Sequence, residues 1–308
     1  MPRDARGDAV NDLVVLSEEV RAALDDGRPV VALETTIVAH GFPPGEGIAV
    51  GQECEGRVRN GGAVPATVAV FDGTVRVGLA DVELERIVAA GVDARKVGPR
   101  DLAACVVDGA LGATTVGGTL AACRLAGIAV MATGGIGGVH RRYESRPDVS
   151  ADLGEIARTA ALVVCSGVKS LLDVTASLEL LETLGVPVLG FRTDELPLFY
   201  AAHGGPPVSA RVETAGQAAR VAAAHWALGG GGLLLARPPD ESLDDVEPLI
   251  EEALGAAEAD GVHGHGVTPF VLAFLHERSG GRTLEVNRLL AADNAALAAE
   301  VALALAER

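Results

Sequence analysis

The 308-residue sequence predicts an α/β fold, a three-layer α/β/α sandwich around a mostly parallel mixed sheet. Three observations predict it. Short β-branched runs alternate with Ala-rich segments of helical spacing along the chain. Several runs, such as ALVVC at 161–165 and LLLA at 233–236, are apolar at every position, as strands covered on both faces must be. One pair of runs is joined by Asp72-Gly73, a two-residue hairpin signal, so one antiparallel connection is expected within the parallel sheet.

The elements follow in order. Residues 12–26 have helical spacing and lead into a strand within RPVVALETTIVAHG. Residues 45–60 read as a helix with a charged outer face, and 64–79 as the hairpin. DVELERIVAAG is helical, and RKVGPRDLAACVVDG is a short strand followed by a helix. GATTVGGTLAACRLAG reads as a loop and then a helix, and IAVMATGGIGGVH as a strand and a glycine-rich loop. Ser150 is a suitable N-cap for SADLGEIART. Residues 160–185 hold a buried strand, a loop with Lys169 at the start of a helix, and that helix. PVLGFRT is a further strand, a helix spans about 212–228, and two helices close the chain. GGGG at 229–232 is the one linker-like stretch, and the strand directly after it argues for a junction inside a single domain spanning 1–308. No internal repeat is visible.

Composition limits the function. With 49% hydrophobic residues and only 3% aromatics, a large core is available, and Ala, Val, Leu and Ile must build it. The formal net charge of −17, with no extended basic stripe, argues against a nucleic-acid polymer as partner and for a small substrate in a local pocket. Cys54, Cys105, Cys123 and Cys165 occur singly, as buried thiols in a reducing cytosol would. The first residues lack the apolar core of a signal peptide, and charges and glycines break the apolar stretch from 103 to 139. A cytoplasmic location with no membrane partner is expected.

Among 25 basic residues only Lys96 and Lys169 are lysine. Arginine stays protonated, whereas a desolvated lysine can lose its proton, attack a carbonyl carbon and form a Schiff base. Lys169 follows a buried strand, and ligand sites in open α/β sheets lie beyond the carboxyl ends of strands. A helix N-terminus disfavours a cation, so Lys169 either serves chemistry there or pairs with an acid such as Asp173. Lys96 lies near Arg95, Arg100 and Asp101, a cluster suited to holding a phosphate or oxyanion.

Glu34 stands among apolar neighbours, either as a carboxyl raised toward neutrality for general-acid work or as a partner for an Arg. The two Gly pairs of ATGGIGGVH form either an anion nest or a tight turn; their spacing is not that of a dinucleotide-binding loop, and no P-loop occurs. In RPDVSAD, Asp148 and Asp152 flank Ser150, which suits either a hard cation or helix capping. GATTVGGT offers hydroxyls and amides to a phosphate or ribose. His263 and His265, at i,i+2 spacing with no third ligand nearby, read as solvated loop.

Taken together, ETTIVAHGFP, VGPRDL, GATTVGGT, TGGIGGVHR, DVSADL, VVCSGVKSLLD, GVPVLGFRTDELPLFY, VTPF and the spacing of Asn287 and Asn294 resemble the pseudouridine-5′-phosphate glycosidase family, also called indigoidine synthase A-like. The resemblance runs from about residue 12 to the C-terminus. It implies cleavage of the C–C glycosidic bond of pseudouridine 5′-phosphate to uracil and ribose 5-phosphate. It makes Lys169 the imine-forming nucleophile and Glu34 the acid that opens the ribose ring. Lys96, Val116, His140, Ser150, Ala151, Asp152 and Asn287 become substrate-binding positions, with Asn287 near the phosphate. Asp148 becomes the carboxylate of a Mn²⁺ (or Mg²⁺) ion; no organic cofactor is implied, and a homotrimer is. The PPGEG stretch, His265 and the RRYESRP segment depart from the family pattern. Two other classes remain: a Schiff-base lyase or aldolase on another sugar phosphate, and a non-catalytic sugar-phosphate sensor.

Overall fold

The computed structural model describes residues 12–141, 143–145, 147–243, 246–262 and 266–308, and for Thr268 and Pro269 only the backbone. The HGH segment with His265 lies outside the described residues, as do Arg142 and Arg146 of RRYESRP.

Eleven strands form one sheet. Its central path begins with β1 (Val14–Leu16) and ends with β12 (Ala210–Val212). Between them lie β4 (Thr74–Val77), β3 (Val64–Phe71), β2 (Val30–Leu33), β7 (Val130–Ala132), β9 (Leu162–Cys165), β13 (Leu233–Ala236) and β11 (Val188–Phe191), in that spatial order. From β3 to β12 every neighbouring pair on this path is parallel. β5 (Arg95–Val97) and β6 (Gly112–Thr114) join through an antiparallel β6–β3 contact. The hairpin turn at Asp72 and Gly73 has φ of 47° and 77°, the all-positive geometry that matches strand twist in a two-residue turn.

Alternation along the central strands fills two cores. Val30 and Ala32 of β2, Val163 and Cys165 of β9, and Leu234 and Ala236 of β13 face one helical layer. Val31 and Leu33, Leu162 and Val164, and Leu233 and Leu235 face the other. With few aromatics, small side chains let helices approach closely: α12 (Arg282–Ala306) packs on α3 (Gly47–Asn60), and a Cβ on Gly61 would stand 2.5 Å from that of Ala299. α12 is long and apolar enough to cross a bilayer, but 56% of its most apolar stretch is buried inside the fold. Gly231 and Gly232 press against the carbonyls of Ala157 and Ile156, so GGGG is a packed helix-to-strand junction.

Several elements differ from the sequence reading. Val14–Leu16 is an edge strand parallel to β4, and the Ser17 hydroxyl accepts from Val20 N to start α1 (Glu18–Asp25). The free β4 edge and a β-branched run outweigh helical spacing there. Gly112–Thr114 is strand rather than loop, because β3 is twice as long as β2 and its far half needs another partner. Residues 210–212 form β12, and α9 (Ala215–Ala227) starts only after the Thr214 cap. Three described helices close the chain: α10 (Glu247–Ala259), α11 (Val267–Arg278) and α12. A further antiparallel pair, β8 (Val139–His140) with β10 (Leu172–Asp173), lies off the main sheet.

Candidate active site

The site lies where the sheet forks. β2 pairs with Val64–Thr67 of β3 and ends at Leu33; β6 then takes the same strand at Ala69 and Val70, running the opposite way. Two threonines fill the fork: Thr35 and Thr114 both donate a hydroxyl to the Val68 carbonyl, at 2.8 and 2.7 Å. Glu34 occupies the first position past β2, and Lys96 enters from the adjacent β5. Both line one pocket with Lys169 and Asn287, at the carboxyl ends of the parallel strands.

Glu34 is 5% exposed. The Thr133 hydroxyl, just past β7, donates to its Oε1 at 2.5 Å. Burial pushes the carboxyl above the ordinary range; Lys169, the Thr133 hydrogen bond and Lys96 oppose that rise, and Asp152 adds to it. Glu34 therefore sits at a strand end among charged groups, with no Arg partner among the described residues. Thr133 was not singled out in the sequence; a hydroxyl at a strand end before a Gly pair was the available signal.

Lys169 is half-buried in the loop after β9. It does not begin a helix. Asp173 caps α8 (Val174–Thr183) by accepting from Ala176 N at 2.9 Å, so the acid nearest in sequence is committed to the helix. The loop is fixed by its backbone: Lys169 N donates to Ile136 O at 3.1 Å, and Leu172 N to Lys169 O at 2.9 Å. Gly167, two residues before, has φ 90° and lies so close to Pro197 O that a Cβ would stand 2.2 Å away. Lys96 is lowered from the ordinary lysine range by burial first and by the Lys169 charge second.

The glycine-rich loop and the helix after it form a second wall. Ser150 caps α7 (Ala151–Arg158), accepting from Asp152 N at 3.2 Å. Asp152 is 5% exposed and faces inward. Its two oxygens accept from Gly117 N, in the first turn of α6 (Val116–Ala126), at 2.8 Å and from Gly137 N at 2.9 Å. Asp148 and Asp152 thus do not converge on one point: Asp152 ties two loops together, and Asp148 stays partly exposed, 3.8 Å from Nε2 of His140. His140 is lowered by burial and raised by Asp148. Val116 is buried in the core, so what it can offer a ligand is its backbone, and Ala151 is exposed on the first turn of α7.

The apolar side of the pocket comes from Phe199 and Tyr200 with Leu272 and Leu275 of α11. Phe199 holds φ 64°, rare for an aromatic residue, and its ring meets that of Tyr200 edge-on at 4.7 Å. The Tyr200 hydroxyl is buried without a hydrogen-bond partner among the described residues. Beneath the pocket, Asn294 donates to Thr133 O at 2.9 Å and to the Ser166 hydroxyl at 3.1 Å, buttressing two strand ends.

A buried acid, two lysines and a polar cradle meet in one pocket at the carboxyl ends of a parallel sheet, the place where an α/β enzyme holds its substrate. Comparison with known proteins agrees. Residues 19–304 match the family model described as indigoidine synthase A like protein, and the chain belongs to that family. A pseudouridine-5′-phosphate glycosidase of Sorangium cellulosum is 48% identical over 97% of this chain and 96% of its own length. One of Streptomyces griseus is 49% identical over 99% and 96%. The crystal structure of the prealnumycin C-glycosynthase AlnA, in complex with ribulose 5-phosphate, superposes with a TM-score of 0.88 at 40% identity, covering 96% of this chain and 98% of that one. An indigoidine synthase A-like protein of Thermotoga maritima gives 0.86 at 36% identity, over 96% and 97%.

Proposed function

We propose that this enzyme reversibly cleaves the C–C glycosidic bond of pseudouridine 5′-phosphate, giving uracil and ribose 5-phosphate, with Lys169 as nucleophile and Glu34 as acid. The single observation that carries the site assignment is the convergence of Glu34 and Lys169 on one pocket. The full-length relatives named pseudouridine-5′-phosphate glycosidase carry the substrate.

The chemistry needs both residues. No leaving heteroatom exists at C1′, so protonating the base in the ordinary way of a nucleosidase releases nothing. Glu34 gives a proton to the ring oxygen as the C1′–O4′ bond breaks, and Lys169 Nζ adds at C1′. The nitrogen lone pair then forms the C=N bond as the C1′–C5 bond breaks, and uracil C5 takes up a proton. Water adds to the iminium and releases ribose 5-phosphate and the free amine. Lys96 and the amides of the glycine-rich loop would serve the phosphate and hydroxyls of the opened ribose, a reading supported by Lys96 and Gly135 lining the same pocket. Asn287 of α12 lines the pocket itself, whereas His140, Ser150, Ala151 and Val116 are not among its lining residues, and their substrate-binding roles rest on the family resemblance.

The resemblance adds a Mn²⁺ or Mg²⁺ ion at Asp148. No three His, Cys, Asp or Glu side chains converge among the described residues, so this is not an all-protein cage. The partly exposed Asp148 carboxylate would hold such a cation together with water and substrate phosphate. Bound there, the ion would neutralise phosphate charge. We also assign a cytoplasmic location, supported by four buried free cysteines, and a homotrimer, supported by the family resemblance.

Incubation with pseudouridine 5′-phosphate and Mn²⁺, monitoring uracil release, tests the reaction. Borohydride trapping of ribose 5-phosphate followed by peptide mass spectrometry tests the nucleophile. No adduct on Lys169, together with an active Lys169→Ala variant, would overturn the assignment. Trapping without uracil release would point to a lyase acting on another sugar phosphate.

A further inference from the structure

We infer that Arg141 is a positioning residue for the Lys169 amine, acting through the backbone turn that carries it. The inference rests on Lys169 being the nucleophile. Arg141 follows His140 directly, at the end of β8, and its side chain crosses to the nucleophile loop. Nη2 donates to Ser170 O at 2.6 Å and Nε to Leu172 O at 3.4 Å. On the other side, Nη1 donates to Glu247 of α10 at 2.7 Å and also to Glu251. Every guanidinium nitrogen is engaged.

The turn explains why a fork is needed here. Residues 169–172 close on themselves through Leu172 N to Lys169 O, which leaves the Ser170 and Leu172 carbonyls pointing outward. Ser170 is buried, so its carbonyl needs a partner within the protein. Arg141 supplies both carbonyls from one rigid plane, which fixes the tilt of the turn and with it the direction in which Lys169 leaves the backbone. The inner anchor, Lys169 N on Ile136 O, and the β8–β10 pairing of His140 with Leu172 hold the other face. A lysine at 141 could reach one acceptor as a point charge but could not span two carbonyls and two carboxylates.

The link also runs outward. Glu247 and Glu251 lie on α10, and the next helix, α11, places Leu272 and Leu275 in the pocket wall. Arg141 thus ties the nucleophile turn to the helical pair that supplies Leu272 and Leu275 to the pocket wall. Nucleophile reach and wall position are set by one side chain.

The test is a rate of imine formation. Unchanged enzyme, Arg141→Gln and Arg141→Lys are mixed with ribose 5-phosphate, quenched with borohydride at successive times and weighed intact, and kcat and KM for pseudouridine 5′-phosphate are measured alongside. A displacement of about 1 Å at a reacting group costs roughly 100-fold, so Arg141→Gln should trap and turn over about 30- to 100-fold more slowly. KM should change by a smaller factor than kcat, because Lys96, the cation assigned to the substrate, stands on β5 away from this turn, and Arg141→Lys should fall between. Addition of methylguanidinium to Arg141→Ala should restore part of the trapping rate. Trapping and kcat within threefold of the unchanged enzyme in Arg141→Gln overturn the proposal, as does a parallel loss in both kcat and folded protein with no rescue. Absence of trapping in the unchanged enzyme overturns the nucleophile assignment beneath it instead.

Discussion

Glu34 and Lys169 enter one pocket from strands β2 and β9, which are separated in the sheet by a single strand, β7. That middle strand ends in Thr133, whose hydroxyl holds Glu34 at 2.5 Å. The acid and the amine are 135 positions apart in sequence (169 minus 34) and two strands apart in space. Parallel strand order is what brings their carboxyl ends together.

The two lysines should respond differently to the same conservative change. Lys169→Arg is expected to abolish borohydride trapping and uracil release, because guanidinium cannot form an imine at neutral pH. Lys96→Arg keeps a cation near the substrate and should still trap ribose 5-phosphate, with KM raised roughly tenfold, equivalent to about 1.4 kcal/mol. Equal losses in the two variants would contradict the division of labour between them.

Glu34→Gln removes the proton donor and retains an acceptor for Thr133. Turnover should fall by about 10²- to 10⁴-fold. Its pH signature is specific. Burial raises the folded-state value above that of the unfolded chain, so the stability Glu34 contributes is fully present below the ordinary glutamate range, about 4.3, and is lost as pH rises through the raised value. Urea unfolding of the unchanged protein should therefore weaken, relative to Glu34→Gln, as pH rises across that window. In kcat/KM the activity of the unchanged enzyme should fall on the alkaline side of the raised value, not within the ordinary carboxylate range.

Asp152→Asn places an NH₂ group against one of two backbone N–H donors, Gly117 or Gly137. Losing a buried charge-assisted bond costs about 1.5–3 kcal/mol, readable as a lower urea midpoint. The loop bearing the glycine pairs should loosen with it, and KM for the sugar phosphate should rise. An unchanged midpoint would show that the strut carries no strain-bearing role.

Tyr200→Phe deletes a buried hydroxyl that has no hydrogen-bond partner among the described residues. An unpaired buried polar group costs about 1–3 kcal/mol, so the variant should be more stable by about 1 kcal/mol in urea unfolding. If the hydroxyl bonds the substrate, KM should rise at the same time. Stability gained with KM unchanged would place the hydroxyl outside substrate recognition.

Much of this was legible before any coordinates. The all-apolar runs at 30–33, 162–165 and 233–236 fixed a doubly covered parallel sheet, since strands with no polar face must be buried on both sides. The near-absence of lysine singled out two side chains that the fold brings to one pocket, and motif resemblance implies their roles. Local pattern failed where pairing decided. Val14–Leu16 became strand because β4 had an open edge, and Gly112–Thr114 because β3 outran β2. Neither cause is written in the segment itself. Spacing left Asp148 and Asp152 open between a hard cation and helix capping, whereas the fold turns Asp152 inward to the amides of Gly117 and Gly137.

The sequence by itself determined the layer architecture and the chemical types available: two primary amines among arginines, a carboxyl among apolar neighbours, and glycine loops at strand ends. These follow from composition and period, which are local. Tertiary structure alone decided which groups meet. The fork at Val68, the Thr133 bond to Glu34 and the Arg141 bridge to the Lys169 turn all join residues far apart in the chain. Such contacts depend on strand order and loop closure, which no single segment encodes.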